Sequence, residues 1–166
     1  MRAAVITVST SVAAGQAEDR SGPRLGEMAR RLGAEAVQAH VVGDDPEAIA
    51  ACLRRCCDEE ACALVLTSGG TGLSPTDHTP EATRAVIERE APGIPEAMRL
   101  VSREHTGNWM LSRAVAGTRG RTLIVNLPGS PGSIDQTGEA LAPALHHALV
   151  LLAGGQPHPH GPAGSG

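Results

Sequence analysis

The sequence predicts an α/β domain whose mostly parallel sheet is covered by helices on both faces. Three observations lead there. Short apolar runs rich in Val, Ile and Leu alternate with helix-like segments along most of the chain, the order that builds parallel sheets. The best of these runs, Ala63 to Thr67, is continuously apolar, as strands buried on both faces are. The chain has 166 residues, 41% of them apolar, enough for one compact core and too apolar for a disordered class.

Arg2 to Ser9 reads as a buried strand through Val5, Ile6 and Val8. A polar loop, Thr10 to Ser21, precedes a helix with Pro23 in its first turn, running to about Leu32, and Gly33 ends it. Ala36 to Val42 is a second strand. Asp44 or Asp45 caps the next helix, with Pro46 in its first turn, running to about Glu60. The strand Ala63 to Thr67 leads into the loop Ser68-Gly69-Gly70-Thr71-Gly72 and a helix from Pro80 to Glu90, which Pro92-Gly93 breaks. Helices follow over Pro95 to Glu104 and Trp109 to Arg113. Val115 and the run Thr122 to Leu127 are two strands joined by Gly117 to Gly120. The loop Pro128 to Gly132 then enters a long helix from Ser133 to Leu152. One domain therefore spans residues 1–154, and the Gly/Pro-rich tail at 155–166 is expected to be disordered.

Composition excludes several classes. The formal net charge of −4 opposes a general nucleic-acid surface. All 14 basic residues are Arg; without Lys there is neither Schiff-base chemistry nor a Walker P-loop. No stretch approaches the roughly 20 apolar residues of a membrane span, and the N-terminus reads as a strand rather than a signal peptide, so a cytoplasmic location is expected. Trp109 is the sole aromatic; a small aliphatic core of this kind gains from oligomerisation. Cys52, Cys56, Cys57 and Cys62 form no CxxC pair and have no His between them, so they read as reduced, partly buried thiols rather than zinc ligands.

In parallel sheets ligands sit beyond the carboxyl ends of the strands, and both Gly-rich loops leave such ends. Glycines let a ligand approach the backbone, and successive N–H groups form an anion nest beside the hydroxyls of Thr67, Ser68 and Thr71. Asp77 lies between this loop and the next helix. A carboxylate beside a phosphate nest implies a cation between them, and Mg²⁺ takes one or two carboxylates with phosphate oxygens. Asp44, past the second strand, is the candidate second carboxylate. Pro128, Gly129, Ser130 and Pro131 make a facing small-residue loop, while Arg99, Ser112 and Arg113 are candidate phosphate contacts.

Taken in order, Asp19-Arg20-Ser21-Gly22, Val42-Gly43-Asp44-Asp45, Leu66 to Gly72, Asp77 to Thr83, Pro92 to Arg99, Leu111-Ser112-Arg113 and Asn126 to Pro131 resemble the molybdopterin-binding family that includes MogA and MoaB. The resemblance covers Ala3 to Gly154. It implies a three-layer α/β/α sandwich assembling into trimers, possibly hexamers. It also implies Mg²⁺-dependent adenylylation of molybdopterin by ATP during molybdenum cofactor biosynthesis, with pyrophosphate released. The glycine loop (Thr67 to Gly72) would bind the pterin side, Asp44 and Asp77 would organise metal and nucleotide, and the product would pass to a molybdate-inserting protein. Two other readings accompany it: a MoaB-like pterin-binding protein with little catalysis, and a pyrophosphatase resembling the N-terminal domain of CinA-type proteins. Thr10 departs from the Asp or Asn often found there in the family.

Overall fold

In a computed structural model, described for residues 1–155, Arg2–Val8 (β1) is buried at six of its seven positions. It is flanked by parallel partners on both sides: Ala36–Val42 (β2) and Leu64–Ser68 (β3). Thr122–Leu127 (β6) continues the parallel set beside β3. Ala116–Arg119 (β5) and the two-residue Arg89–Glu90 (β4) close that edge antiparallel, giving the order β2-β1-β3-β6-β5-β4. The strand order reverses between β1 and β3, so their carboxyl ends form the switch point of the sheet.

The helices fall into two layers. Ser21–Arg31 (α2), Gly93–Arg103 (α5) and Pro131–Leu152 (α6) pack Leu25, Met98, Ile134 and Leu145 against one sheet face. Pro46–Arg54 (α3), a π-helical turn over Arg55–Glu59 and Thr79–Arg84 (α4) pack Ile49, Leu53, Cys56 and Ala82 against the other. The result is the three-layer α/β/α sandwich with a mostly parallel sheet.

Several local details differ from the sequence expectation. The first loop contains a single helical turn, Thr10–Ala13 (α1), capped by the Ser9 hydroxyl, which accepts from the Val12 N–H. The next helix starts at Ser21, with Pro23 in its first turn as expected, and Asp19 accepts from the Ser21 and Gly22 N–H groups at 3.1 and 2.8 Å. Asp45 rather than Asp44 caps α3, accepting from the Ala48 N–H at 2.8 Å. The helix expected over Pro80 to Glu90 ends at Arg84, and Arg89–Glu90 pair as β4 with Thr118 and Gly117. Gly117 therefore lies inside β5 and not in a connecting loop. A Cβ there would meet the Arg89 carbonyl oxygen at 2.5 Å. The turn is made at Gly120, with φ +54°. The segment from Trp109 is a 3₁₀ turn, Trp109–Leu111, with the Arg103 guanidinium 6.0 Å from the indole centroid. The tail expected to be disordered lies, from residue 156 on, outside the described residues.

Every buried side-chain nitrogen and oxygen among the described residues has a hydrogen-bond partner. Asn126, on β6, is fully buried. Its amide donates to the Thr67 and Thr83 hydroxyls at 3.0 and 2.9 Å, while its oxygen accepts from the Val115 N–H at 3.2 Å. One side chain thus joins β3, α4 and the approach to β5. No helix among the described residues is long and apolar enough to cross a membrane.

Candidate active site at the carboxyl rim of the sheet

A cavity of about 330 Å³ opens at the switch point, lined by Ser9, Arg20, Ser21, Ser68, Gly69 and Gly129 among others. The two Gly-rich loops meet on its wall. The Ser68 hydroxyl donates to the Pro128 carbonyl at 3.1 Å, the Ser21 hydroxyl to the Gly129 carbonyl at 2.9 Å, and a Cβ on Gly129 would lie 3.6 Å from the Gly69 Cα. Gly69 and Gly70 have φ of +98° and +63°. A side chain at Gly69 would overlap the Val8 carbonyl oxygen, and one at Gly70 would come within 2.5 Å of the Thr79 hydroxyl. Thr79, in turn, donates its hydroxyl to the Gly69 carbonyl and its N–H to that of Gly70. The loop is thus a fixed element presenting backbone. Ser130 caps α6 by accepting from the Ser133 N–H, and Pro131 occupies the first helical turn, so the positive end of a 22-residue helix abuts the cavity.

The expected site residues divide between this cavity and its surroundings. Ser68, Gly69, Gly129 and Pro131 line it. Thr67 does not face it: its side chain is fully buried, and its hydroxyl accepts from Asn126. Thr67 thus supports the loop from below. Thr71 is buried too, and its carbonyl accepts from the Arg113 N–H at 2.8 Å. Arg99 donates to the Ser112 carbonyl at 3.5 Å. Arg113 directs its guanidinium into the protein, with Nε to the Gly72 carbonyl and an Nη to the Asp77 carbonyl, both at 2.7 Å, and the other Nη paired with Glu81. In this structure Arg113 holds the loop that carries Asp77. Burial raises the Glu81 carboxyl pKa, but the hydrogen bond and charge of Arg113 outweigh it and hold the group below the usual range.

Asp44 and Asp77 both stand on the carboxyl rim, on connections that leave β2 and β3. Asp44 Oδ2 accepts from the Thr10 hydroxyl and N–H at 2.6 and 3.2 Å. Thr10 is therefore the partner of Asp44, which accounts for a hydroxyl at that position. Asp77 Oδ2 accepts from the Ser74 N–H at 3.0 Å and faces Gly72. The two carboxylates share no hydrogen-bond partner among the described residues, and neither lines the 330 Å³ cavity. In each, only Oδ2 is used in these bonds, and a carboxylate oxygen is the ligand type that Mg²⁺ takes.

Ser9, Arg20 and Ser21 line the cavity without having been singled out as site residues. The usable signals were the position of Ser9 directly after the first strand and the Asp19-Arg20-Ser21-Gly22 motif. Asp19 is committed to order, receiving the Thr7 hydroxyl as well as the start of α2.

A family model described as "Probable molybdopterin binding domain" matches residues 4–147. The molybdopterin adenylyltransferase of Helicobacter pylori is 38% identical over 152 residues, which cover 90% of this chain and 86% of that protein. Among solved structures, the molybdopterin biosynthesis enzyme MoaB of Thermus thermophilus superposes with a TM-score of 0.85 at 45% identity, covering 92% of this chain and 96% of its own. The molybdopterin biosynthesis Mog protein of Mycobacterium ulcerans gives 0.85 at 40% identity, over 91% and 98%. A cavity walled by two glycine loops at the switch point, in a fold shared along nearly its full length, thus has a family: the chain belongs to the molybdopterin-binding domain family of molybdenum cofactor biosynthesis.

Proposed function

We propose that this protein is a molybdopterin adenylyltransferase that uses ATP and Mg²⁺ and releases pyrophosphate. The observation that carries the reading is the switch-point cavity, in which rigid glycine loops and the α6 N-terminus offer backbone N–H groups to a phosphate. The likeness to a named adenylyltransferase over most of both chains supports it. A terminal phosphate oxygen of molybdopterin attacks the α-phosphorus of ATP; one P–O bond forms as the bond to pyrophosphate breaks. No protein nucleophile is required, which suits a chain without Lys or Tyr. Positioning and charge neutralisation supply the catalysis.

In this reading Ser68, Gly69, Gly70 and Gly129 seat the pterin phosphate, and Asp44 and Asp77 hold the metal and the nucleotide phosphates from their two connections. Magnesium, when bound, neutralises charge on the reacting phosphates. Arg113 keeps Asp77 in place through the Gly72 and Asp77 carbonyls. The enzyme works as a homo-oligomer, a trimer or hexamer, and delivers its product to a molybdate-inserting protein. A second reading, a MoaB-like pterin-binding protein with little catalysis, draws on the 45% identity to a structure named MoaB.

Pyrophosphate release from ATP, measured with and without molybdopterin and Mg²⁺, separates the two. The adenylyltransferase reading expects release only with all three present. Asp77→Asn should lower that rate on the order of 100-fold or more, as loss of a charge-stabilising group does, while leaving pterin binding intact. Normal turnover in that variant would remove Asp77 from the metal site, and absence of release in the unmodified protein would favour the binding-only reading.

A further inference from the structure

On the α3 face of the sheet, three metal-ligating side chains that the proposed reaction does not use come together, His40, Cys56 and Glu60, with Cys52 one helical turn from Cys56. Cys52, Cys56 and Glu60 follow one another at four-residue steps. In an α-helix each such step drifts about 40° around the axis. Here the second step passes through the π-helical turn Arg55–Glu59, which winds less per residue and offsets the drift. Cys56 and Glu60 are thereby both brought against the edge strand β2. His40 of β2 completes the group. Ligand atoms of His40, Cys56 and Glu60 all lie within 4.8 Å of one another, with His40 Nε2 only 3.2 Å from Glu60 Oε2. The Cys52 thiol lies one helical turn before that of Cys56, with its Sγ 3.8 Å from the same Arg55 nitrogen that meets His40 Nδ1. Cys52 and Cys56 are buried, while His40 and Glu60 are partly covered.

A positive group already serves this cluster. The Arg55 guanidinium lies 2.9 Å from His40 Nδ1, 3.2 Å from Glu60 Oε1 and 3.8 Å from Cys52 Sγ. It touches three of the four ligand side chains, so the pocket is built for positive charge. Arg55 is also half exposed, free to swing outward. Two thiolates, an imidazole and a carboxylate form a donor set suited to zinc. Zinc–ligand bonds of about 2.0–2.3 Å set tetrahedral ligand atoms roughly 3.3–3.8 Å apart, slightly wider than the 3.2 Å between His40 and Glu60. Two thiolates and a carboxylate around Zn²⁺ leave one negative charge, which Arg55 at the mouth balances.

We propose that His40, Cys52, Cys56 and Glu60 form a structural Zn²⁺ site that clamps the π turn onto β2. The chain between His40 and Cys52 carries Asp44, so the clamp closes the very loop that bears a rim carboxylate. Zinc binds as the two thiols release their protons.

The test uses the full chain, reduced and untagged, titrated with Zn²⁺ against a chromophoric chelator, and separately with Co²⁺. One equivalent of Zn²⁺ should bind, and Co²⁺ should give thiolate charge-transfer and tetrahedral d–d bands. His40→Ala, Glu60→Gln, Cys52→Ser and Cys56→Ser should each weaken binding on the order of 100-fold or more, since even outer-shell partners are worth about 10–100-fold. Cys56 is fully buried, so the partly exposed His40 and Glu60 variants keep the test decisive if its replacement misfolds. Substituting His158 and His160 by Ala should leave binding unchanged. The proposal is overturned if no equivalent binds, if cobalt shows no thiolate band, or if binding follows the tail histidines instead of the four ligands.

Discussion

Gly69 joins two constraints at one atom, a φ of +98° and the Val8 carbonyl oxygen lying where a Cβ would go. Gly69→Ala should therefore cost about 1–3 kcal/mol for the backbone alone, with a further cost for the overlap. It should lower the urea midpoint even without ligand; an unchanged midpoint would mean that the loop is not fixed as described. Glu81 gives a second test. Its carboxyl pKa lies below the ordinary value of 4.5 because Arg113 outweighs burial. The unfolded chain thus takes up this proton first as pH falls, so the stabilisation is present above about pH 4.5 and is lost as pH drops through the lower folded value. Glu81→Gln should reduce stability at pH 7 and flatten its decline between about pH 5 and 3, read from denaturant midpoints across pH. A parallel decline in both proteins would contradict the pairing. Glycine positions such as Gly69 are legible in a sequence because few other residues adopt that conformation. The destination of Arg113 is not legible, since a guanidinium suits a phosphate and a cluster of carbonyls equally well.

At the level of elements, the alternation of strands and helices is written in local composition. Asp45-Pro46 marks a helix start and the run up to Leu127 marks a strand, and both stand where they were expected. The two-residue β4 is different. It exists because Gly117 lets the Arg89 backbone approach, a relation between positions far apart in sequence. The π turn is equally hidden, since hydrogen bonding rather than residue type defines it. Asn126 is where elements are joined most economically, with three polar contacts to three segments. Asn126→Ala would leave the buried Val115 N–H and two hydroxyls short of partners and should cost about 2–4 kcal/mol. A loss below about 1 kcal/mol in equilibrium unfolding would show that solvent or rearrangement replaces those bonds.

For the molecule as a whole, the core lacks Phe and Tyr and relies on Leu, Ile, Val, Ala and Met. Meanwhile Leu73, Leu100, Met110 and Leu111 remain at least 45% exposed. Covering such side chains between copies is the economical use of them, in keeping with the proposed homo-oligomer. Light scattering should give about 51 kDa for a trimer, three times 17.0 kDa, or double that for a hexamer. Leu100→Glu should shift the mass toward the single chain; a monomeric mass for the unmodified protein would refute the assembly. Trp109 adds a practical property. It is the sole aromatic side chain, set beside the Arg103 guanidinium on the 3₁₀ turn just ahead of Arg113. Near-ultraviolet emission from this protein therefore originates at one known address, and its intensity and colour follow the segment that braces the Asp77 loop, with no label attached.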